Sequence, residues 1–526
     1  MPTPIQNYQI PGVYVTQGGS SLTATNATAL NVAIIADNPT PSSNTDIFNN
    51  IVAVSGANLG QLTVPMVNTT YSGQYTTFSG FTVVWVSGTT TVTGTYGYNF
   101  SIVSASGTPF SYLSTSGITA TGTNSLPSGS VSVTYGHNWG AAGTYYAYNQ
   151  AVATMGTAVS GTTIVNPALL GTQLAFQNGA NTVQVLPVAR IATSGAGAAT
   201  NTDWARTFST AGTGGDPTYL ATQANGIDVF VPLYGFTSQS GSNFGQVVTP
   251  YASNTVAGVI ATYLNNTSSS GVYQRAFLGV DGTFNQVTTA AMQALASGFG
   301  ASGAGTRVSL FYPATVNFNP GLNTSTGLSN VNFNIPGYYL AAAAAGTFVG
   351  QTNVATPITN KTLVGFNYIP NQTSLIDAQT NYLPYGIATV YQKRDGNFYI
   401  LQGLTTNTTN YLTQEISINA IGDQITLDIR NAFLGSNLIG GPLTPKTAGA
   451  AMSTVESVLL NEVSSGLIQG YNNLIYTINP ATPTTINITF QYSPTYPLNY
   501  IQVSLSLNSQ TGIVNLSTQQ NTLVVN

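Results

Sequence analysis

The chain has 526 residues, of which 42% are hydrophobic, 10% aromatic and only 4% charged. Because disordered chains combine low hydrophobicity with high charge, this composition predicts folded structure, about three or four domains at this length. The net charge is −4, and so few basic residues form no positively charged surface for binding nucleic acid. The single histidine leaves few groups for acid–base catalysis. The lack of cysteine excludes disulfides and thiolate catalysis.

Residues 1–50 are predicted to form an N-terminal arm and a first core strand. The segment from Ile10 to Val15 is apolar and extended, with a turn at Pro11-Gly12. The continuous apolar run from Val32 to Ala36 is typical of a buried strand. Asp37, Asn38 and Pro39 end it.

Residues 51–150 are predicted to form an all-β domain, either a sandwich or a barrel. Runs of β-branched and aromatic residues, such as 81–86 and 131–135, are separated at short intervals by Gly, Ser and Thr. Many short strands with frequent turn signals favour these two architectures.

Residues 151–409 alternate between strand and helix patterns, which predicts an α/β domain. The predicted strands are Thr182–Leu186, Ile227–Leu233, Arg275–Asp281 and Arg307–Tyr312. Apolar residues from Phe244 to Tyr263 keep mostly helical spacing, and Asn285 is placed to cap a further helix. A hairpin is predicted at 390–401, with its turn at Asp395-Gly396.

Residues 410–526 are predicted to form an α+β domain with an extended C-terminal arm. A helix is expected at 420–433, and a second begins after Thr444 as its cap, with Pro445 at its first position and Gly466 near its end. Alternating strands follow, with Ile486, Ile488 and Phe490 on one face of the first. The second carries Ile501, Val503, Leu505 and Leu507.

No residue pattern predicts catalysis, a cofactor or a metal site. Gly298–Gly303 matches G-x-G-x-x-G, but it follows a predicted helix and precedes a strand, the reverse of the dinucleotide-binding order. The single histidine, His137, lies in a Gly/Asn-rich stretch read as a turn. The acid pairs Asp423/Asp428 and Glu456/Glu462 fall on predicted helices, where a solvated face explains them.

Two further readings of the composition stay open. Thirty tyrosines and 21 phenylalanines could form sugar-binding platforms in residues 51–150, although packing within sheets explains most of them. No apolar run reaches the roughly 18 residues of a membrane span, and the N-terminus has no signal-peptide pattern, so no membrane insertion is expected.

Both ends of the chain carry apolar, uncharged, extended segments. An unpaired apolar strand is an aggregation hazard, so each segment is expected to pair with something. It pairs either within its own subunit or, by β-strand addition, with a neighbouring one.

The order of motifs resembles that of contractile phage tail sheath proteins, which are similar to the sheaths of R-type pyocins and type VI secretion systems. The matching segments are Pro11–Val15, Val32–Asp37, Phe176–Ala180, Leu310–Pro313, Pro357–Lys361, Tyr385–Ala388 and Gly466–Tyr471. Two departures are the lack of an arginine in Gly403–Thr406 and a stretch, 51–150, with no counterpart in the minimal family core.

The resemblance implies a tail-sheath-like α/β core (151–409), a C-terminal α+β domain (410–526), and residues 51–150 as an inserted outer all-β domain. It implies arms that link neighbouring subunits, formed by Ile10, Pro11, Gly12, Val13, Tyr14 and Val15 and by Ile513, Val514, Leu516, Leu523, Val524 and Val525. The strand accepting them would carry Ile501, Val503, Leu505 and Leu507.

The resemblance also implies function and partners. The subunits would stack in rings of six around an inner tail tube, contract when a baseplate triggers them, and end at a tail terminator protein. The protein would be made in the host cytoplasm and reside in the virion, without enzymatic activity. The alternatives are a static surface, capsid or adhesin-type protein and, ranked last, a polysaccharide-active enzyme using residues 51–150, because that stretch has no acidic residue.

Overall fold

The computed structural model describes 24 stretches of the chain, within which all features below lie. They are residues 30–37, 42–51, 58–64, 82–87, 89–93, 101–104, 111–114, 129–137, 143–155, 158–160, 162–164, 166–188, 199, 201–208, 227–239, 246–248, 255–282, 287–318, 332–370, 372–436, 438–478, 484–499, 506–507 and 514–515.

The described residues have mixed α and β content, as predicted. The strands are β1 Val32–Ala36, β2 Ser42–Ile51, β3 Asn58–Val64, β4 Thr82–Ser87, β5 Thr90–Thr93, β6 Ser101–Ser104, β7 Ser111–Ser114, β8 Gly129–His137, β9 Gly143–Tyr145, β10 Val159–Ser160, β11 Thr163–Ile164, β12 Val183–Pro187, β13 Val229–Pro232, β14 Thr237–Gln239, β15 Gln246–Val248, β16 Arg275–Gly279, β17 Val308–Tyr312, β18 Thr315–Phe318, β19 Phe333–Pro336, β20 Thr362–Leu363, β21 Phe366–Tyr368, β22 Ile387–Gln392, β23 Phe398–Ile400, β24 Ile468–Ile478, β25 Ile486–Pro494, β26 Ser506–Leu507 and β27 Val514–Asn515. The helices are α1 Tyr148–Met155, α2 Pro167–Gln177, α3 Asn201–Phe208, α4 Thr255–Ser269, α5 Thr289–Ala301, α6 Tyr338–Val349, α7 Leu375–Asp377, α8 Tyr411–Gln414, α9 Ile416–Leu434 and α10 Pro445–Ser464.

A mixed sheet of nine described strands forms the centre of the fold, in the order β20-β23-β22-β17-β16-β13-β1-β12-β9. The six strands from β22 to β12 run parallel, and antiparallel strands close both edges. The predicted first core strand, β1, lies inside this sheet and pairs with β12 and β13. Its position explains why all five of its residues are buried, since parallel strands are covered on both faces.

Each face of the sheet has its own hydrophobic core. Val32 and Ile34 of β1 point to the face covered by α1, α2 and α6, whereas Ala33 and Ile35 point to the face covered by α3, α4 and α5. Helix α6 is buried almost all round because α2 packs closely against it. A Cβ atom at Gly346 of α6 would overlap the backbone carbonyl of Ala175 in α2.

The C-terminal unit consists of α9, α10 and the antiparallel pair β24–β25. Its core joins Ile421, Ile425 and Ile429 of α9 with Val455 and Leu459 of α10. Thr444 caps α10 by accepting the Thr447 N–H, with Pro445 at the first position, as predicted. Gly466 just beyond the helix has φ +75°, the left-handed conformation expected of a glycine that ends a helix.

The described residues between 42 and 137 are all in strands or a turn. They form a four-stranded antiparallel sheet, β2-β8-β4-β5, and a three-stranded one, β3-β7-β6. A sandwich or barrel over residues 51–150 remains a prediction. The boundary at 150 also remains one, although β9 already pairs with β12 of the central sheet.

Two local predictions were wrong. The helical spacing from Phe244 does not mark one helix, because 246–248 is strand β15, paired with β14, and α4 begins only at Thr255. The cap of α5 is Thr288, which accepts the Ala291 N–H, rather than Asn285.

Candidate functional site: the junction of the sheet with the C-terminal unit

The residues considered for chemistry do not assemble into a catalytic centre. His137 is the last residue of β8, opposite Ser42 of β2, and does not lie in a turn as the sequence suggested. Gly298–Gly303 covers the end of α5 and the turn towards β17, so helix precedes strand. Among the described residues, no group of three or more His, Cys, Asp or Glu side chains is placed to hold a metal, and none of the helices is long and apolar enough to span a membrane.

An ion cluster lies where α9 meets the amino ends of the parallel strands. Asp423 of α9 binds Arg275, the first residue of β16, and Arg307, which directly precedes β17. Arg307 reaches the carboxylate with both terminal nitrogens, at 2.9 and 3.0 Å, and also donates from Nε to Ser268. The bidentate contact fixes the angle of α9 as well as its distance from the sheet.

The electrostatics of this cluster favour a charged carboxylate. Burial acts to raise the pKa of Asp423, but Arg307 and Arg275 outweigh it and hold that pKa below its usual value. Burial lowers the pKa of Arg275, and the negative charge of Asp423 opposes this lowering. The solvated helix face predicted for Asp423 was therefore wrong: its side chain is 6% exposed and has two cationic partners.

A second acid adjoins the cluster. Asp228 lies directly before β13, and its Oδ2 accepts the backbone N–H of Asn31 at 2.8 Å. Burial raises the pKa of Asp228 to about 6, against the lowering effects of that hydrogen bond and of Arg275. In open α/β sheets ligands bind beyond the carboxyl ends of the strands, so a cluster at the amino ends indicates a structural connection.

The solvated helix face predicted for Glu462 was also wrong. Glu462 of α10 is buried next to Asp428 of α9, and burial together with that neighbour raises its pKa to about 7. Glu456 lies elsewhere on α10, within 3.5 Å of the Tyr471 hydroxyl. The close acid pair is therefore Glu462 with Asp428, which joins the two helices, and not either of the two pairs considered from the sequence.

The β24–β25 pair has many residues exposed to solvent. One face packs on the core through Ile486, Ile488 and Phe490, which alternate with exposed residues as predicted. The outer part of β24 exposes Ile475, Tyr476 and Ile478. Within the described residues this sheet has two strands only, so each has an outer edge with backbone groups open to pairing.

The predicted inter-subunit segments fall mostly outside the described residues. This holds for all of Ile10 to Val15, for five of the six C-terminal arm residues and for Ile501, Val503 and Leu505. The described exceptions are Val514 and Leu507, whose backbones pair antiparallel within the chain in the short strands β27 and β26.

Sequence reasoning missed Arg275 and Arg307 as well as Glu415, a buried acid at the start of α9. One signal was available for the arginines. Each stands at the beginning of an apolar strand in a chain with 4% charged residues, and such residues are almost never buried unless paired.

Comparison with known proteins gives one match in sequence. The chain is 28% identical over 258 residues to the tail sheath protein of Mycobacterium phage Bxz1. This alignment covers 49% of the chain and 42% of that relative, so it spans less than half of the relative's length. No family model matches the chain. The match confirms the resemblance to phage tail sheath proteins.

Three solved structures overlap weakly with this one. The contracted helical sheath of the anti-feeding prophage has a TM-score of 0.47 and 14% identity, covering 70% of this chain and 88% of the other. The contracted PVC sheath complex of an extracellular contractile injection system has a TM-score of 0.47 and 11% identity, covering 70% of this chain and 87% of the other. A sheath tail protein from Listeria innocua has a TM-score of 0.42 and 11% identity, covering 87% of this chain and 78% of the other. These overlaps are too weak to carry an argument about function, which rests on the sequence match.

Proposed function

We propose that the protein is a structural subunit of a contractile phage tail sheath, not an enzyme, and that it resides in the virion. The observation that carries this proposal is the 258-residue match to a tail sheath protein. In this role the chain would assemble as stacked rings of six around an inner tail tube, in contact with baseplate and terminator proteins. It would be made in the host cytoplasm.

The β24–β25 pair supports a linked assembly. Its outer edges and the exposed Ile475, Tyr476 and Ile478 suit an added extended strand, because main-chain hydrogen bonds supply affinity and alternate side chains fill pockets. The terminal segments 10–15 and 513–525 are the proposed donors. The predicted acceptor at 501–507 and this pair would form neighbouring parts of one acceptor region.

The ion cluster supports contraction by movement of whole subunits. Asp423 fastens α9 to the amino edge of the sheet through two arginines, so the sheet and the C-terminal unit would move as one body. Linking strands would then hold neighbouring subunits together while the remaining interfaces separate and repack. Rotation of rigid subunits about their interfaces is a common form of switching between two states.

Negative-stain electron microscopy of the purified protein tests the assembly. We expect tubes or stacked rings, and monomers alone at high concentration would contradict the proposal. A chain lacking residues 1–16 should keep its circular dichroism spectrum but form no tubes, and unimpaired assembly would refute the role of this arm.

Single substitutions test strand addition more sharply. Proline lacks the N–H that a β-ladder needs, and successive N–H groups of a strand point to opposite edges. At least one of Val13→Pro and Tyr14→Pro should therefore block tube growth. The matched variants Val13→Thr and Tyr14→Phe keep the N–H and should assemble normally. Assembly by both proline variants would exclude backbone pairing through this segment.

A further inference from the structure

Arg430 lies on the same face of α9 as the ion cluster, two turns after Asp423. Asp423, Thr426 and Arg430 are spaced by three and then four residues, so their side chains lie one above the other along the helix. Because helical side chains lean towards the amino end of their helix, the guanidinium group of Arg430 is directed back towards the cluster. The residue is 7% exposed, so little of it meets solvent.

Arg430 has no anionic partner among the described residues. The ion pairs of this junction join Asp423 to two other arginines, and Nη1 of Arg430 is buried without a hydrogen bond. Asp428 lies two residues away on a different face of α9, where it accepts from Gln424 at 2.8 Å. Charged residues are almost never buried without a partner, because they lose the water that would stabilise their charge.

Tyr273 brings a second unpartnered donor to this junction. Its ring centroid lies 4.6 Å from the guanidinium carbon of Arg307, and Arg307 binds Asp423, so the tyrosine lies against this face of α9. Tyr273 is 6% exposed, and in the described part of the chain its hydroxyl group is buried without a hydrogen bond. Burial lowers the pKa of Arg430, and Tyr273 opposes this lowering.

The junction carries more positive than negative charge. Three arginines, Arg275, Arg307 and Arg430, stand against two acids, Asp423 and Asp228, and Asp423 is already shared by the first two arginines. The carbonyl groups at the end of α9 carry partial negative charge, but the Arg430 side chain leans away from them. The charge left over therefore favours an anion beside Arg430.

We propose that Arg430 and Tyr273 bind a small oxyanion, of the class of inorganic phosphate, where the sheet meets the C-terminal unit. A guanidinium group presents a planar fork of N–H groups that fits two oxygens of such an anion, and a tyrosine O–H can donate to another. The anion gives both unpartnered donors an acceptor and balances the remaining positive charge. It also fastens α9 to the sheet at a second point beside Asp423. The site does not depend on the sheath function.

Equilibrium dialysis against radiolabelled inorganic phosphate, at constant ionic strength, tests the site. We expect saturable binding to a single site on each chain. Arg430→Met keeps an apolar side chain of similar length without the charge and should abolish this binding. Lys446→Met is the matched control, because it removes an exposed positive charge from the first turn of α10 and should leave phosphate binding unchanged.

Two further measurements keep the result interpretable if Arg430→Met folds poorly. Tyr273→Phe removes only the hydroxyl group and should weaken phosphate binding about tenfold or more, the usual effect of losing a hydrogen bond to a charged group. Hydrogen-exchange protection of α9 should rise with phosphate concentration above the dissociation constant in the unsubstituted protein, and not in Arg430→Met. Without phosphate, Arg430→Met should be at least as well protected, since it buries no unpaired charge.

The absence of saturable phosphate binding, or binding that persists in Arg430→Met, would overturn the proposal. An effect of Arg430→Met that appears only in assembled tubes would also overturn it, because the counter-ion would then be a carboxylate of a neighbouring copy. Tube formation is measured separately by electron microscopy, so a failure of the sheath proposal is distinguishable from a failure of this site.

Discussion

Replacing Asp423 with asparagine should destabilise the C-terminal unit more than any other single change of charge. The substitution preserves shape but removes the carboxylate that Arg275 and Arg307, 6% and 11% exposed, both bind. Removing one partner of a buried ion pair costs about 3–5 kcal/mol, because the remaining charge stays desolvated. Since a chain of 526 residues need not unfold in one step, the measurement is native-state hydrogen exchange of α9, whose protection should fall at least a hundredfold.

The design separates an unpaired charge from a lost contact. A triple variant, Arg275→Met, Arg307→Met and Asp423→Leu, removes all three charges and should recover most of the protection, because apolar replacements of buried ion networks are often neutral or stabilising. Glu456→Gln is the control and should leave α9 unchanged. A loss below about 1 kcal/mol for Asp423→Asn, or a triple variant as unstable as the single one, would refute the reasoning.

Three further predictions follow from burial and charge. Because the pKa values of Glu415 and Glu462 are raised to about 7, the protein should lose stability as pH rises from about 5 to 8. Glu415 alone should lower the free energy of unfolding by about 3 kcal/mol over this range. Urea unfolding at several pH values measures this loss. Gly346→Ala should lower the free energy of unfolding by about 1–3 kcal/mol in thermal denaturation, because the added Cβ overlaps Ala175. Gly449→Ala is the control: its Cβ has open space around it and should stabilise α10 by up to about 1 kcal/mol. Tube formation, followed by light scattering, should change little between low and moderate salt concentration. A strong salt dependence would instead show that the charged residues in 361–462 control the interfaces between subunits.

The sign of the pH effect follows from the folded and unfolded states. A carboxyl whose pKa is raised on folding imposes no penalty below its unfolded pKa. The penalty grows as pH passes that value and is complete above the folded pKa. Asp423 acts in the opposite direction, since its lowered pKa contributes stability at neutral pH that is lost in strong acid. The two effects together place the stability maximum in mildly acidic solution.

Local signals predicted the parts of the fold that depend on neighbouring residues. The buried run Val32–Ala36, the Thr444 cap with Pro445, and the Asp395-Gly396 turn, where Gly396 has φ +84°, all appear as expected. Strand β24 was missed because two irregularities, between Ile468 and Gly470 and between Asn472 and Ile475, interrupt its alternation. A bulge breaks the period of two on which a strand prediction rests.

The candidate site could not be predicted because its partners are distant in sequence. Asp423 lies 148 residues from Arg275 and 116 from Arg307, and no local pattern connects them. The sequence spacing of an acid along a helix is the same whether its side chain faces a buried arginine or water. The distinction appears only when the parallel sheet brings the starts of β16 and β17 to one edge and α9 is placed across it.

The positions of the charged side chains in the structure help to explain the low charge content of the chain. Among the described residues, the exposed charged side chains are Lys393, Arg394 and Asp395, together in one turn, and Lys446. Arg275, Arg430, Glu415, Asp423 and Glu462 are instead buried between elements of the same chain. Among the described residues, fully exposed charges are therefore few, and several of the other charges connect elements within the subunit. A subunit whose interfaces must separate and re-form would then avoid desolvating ions at each step, while its internal ion cluster stays paired throughout.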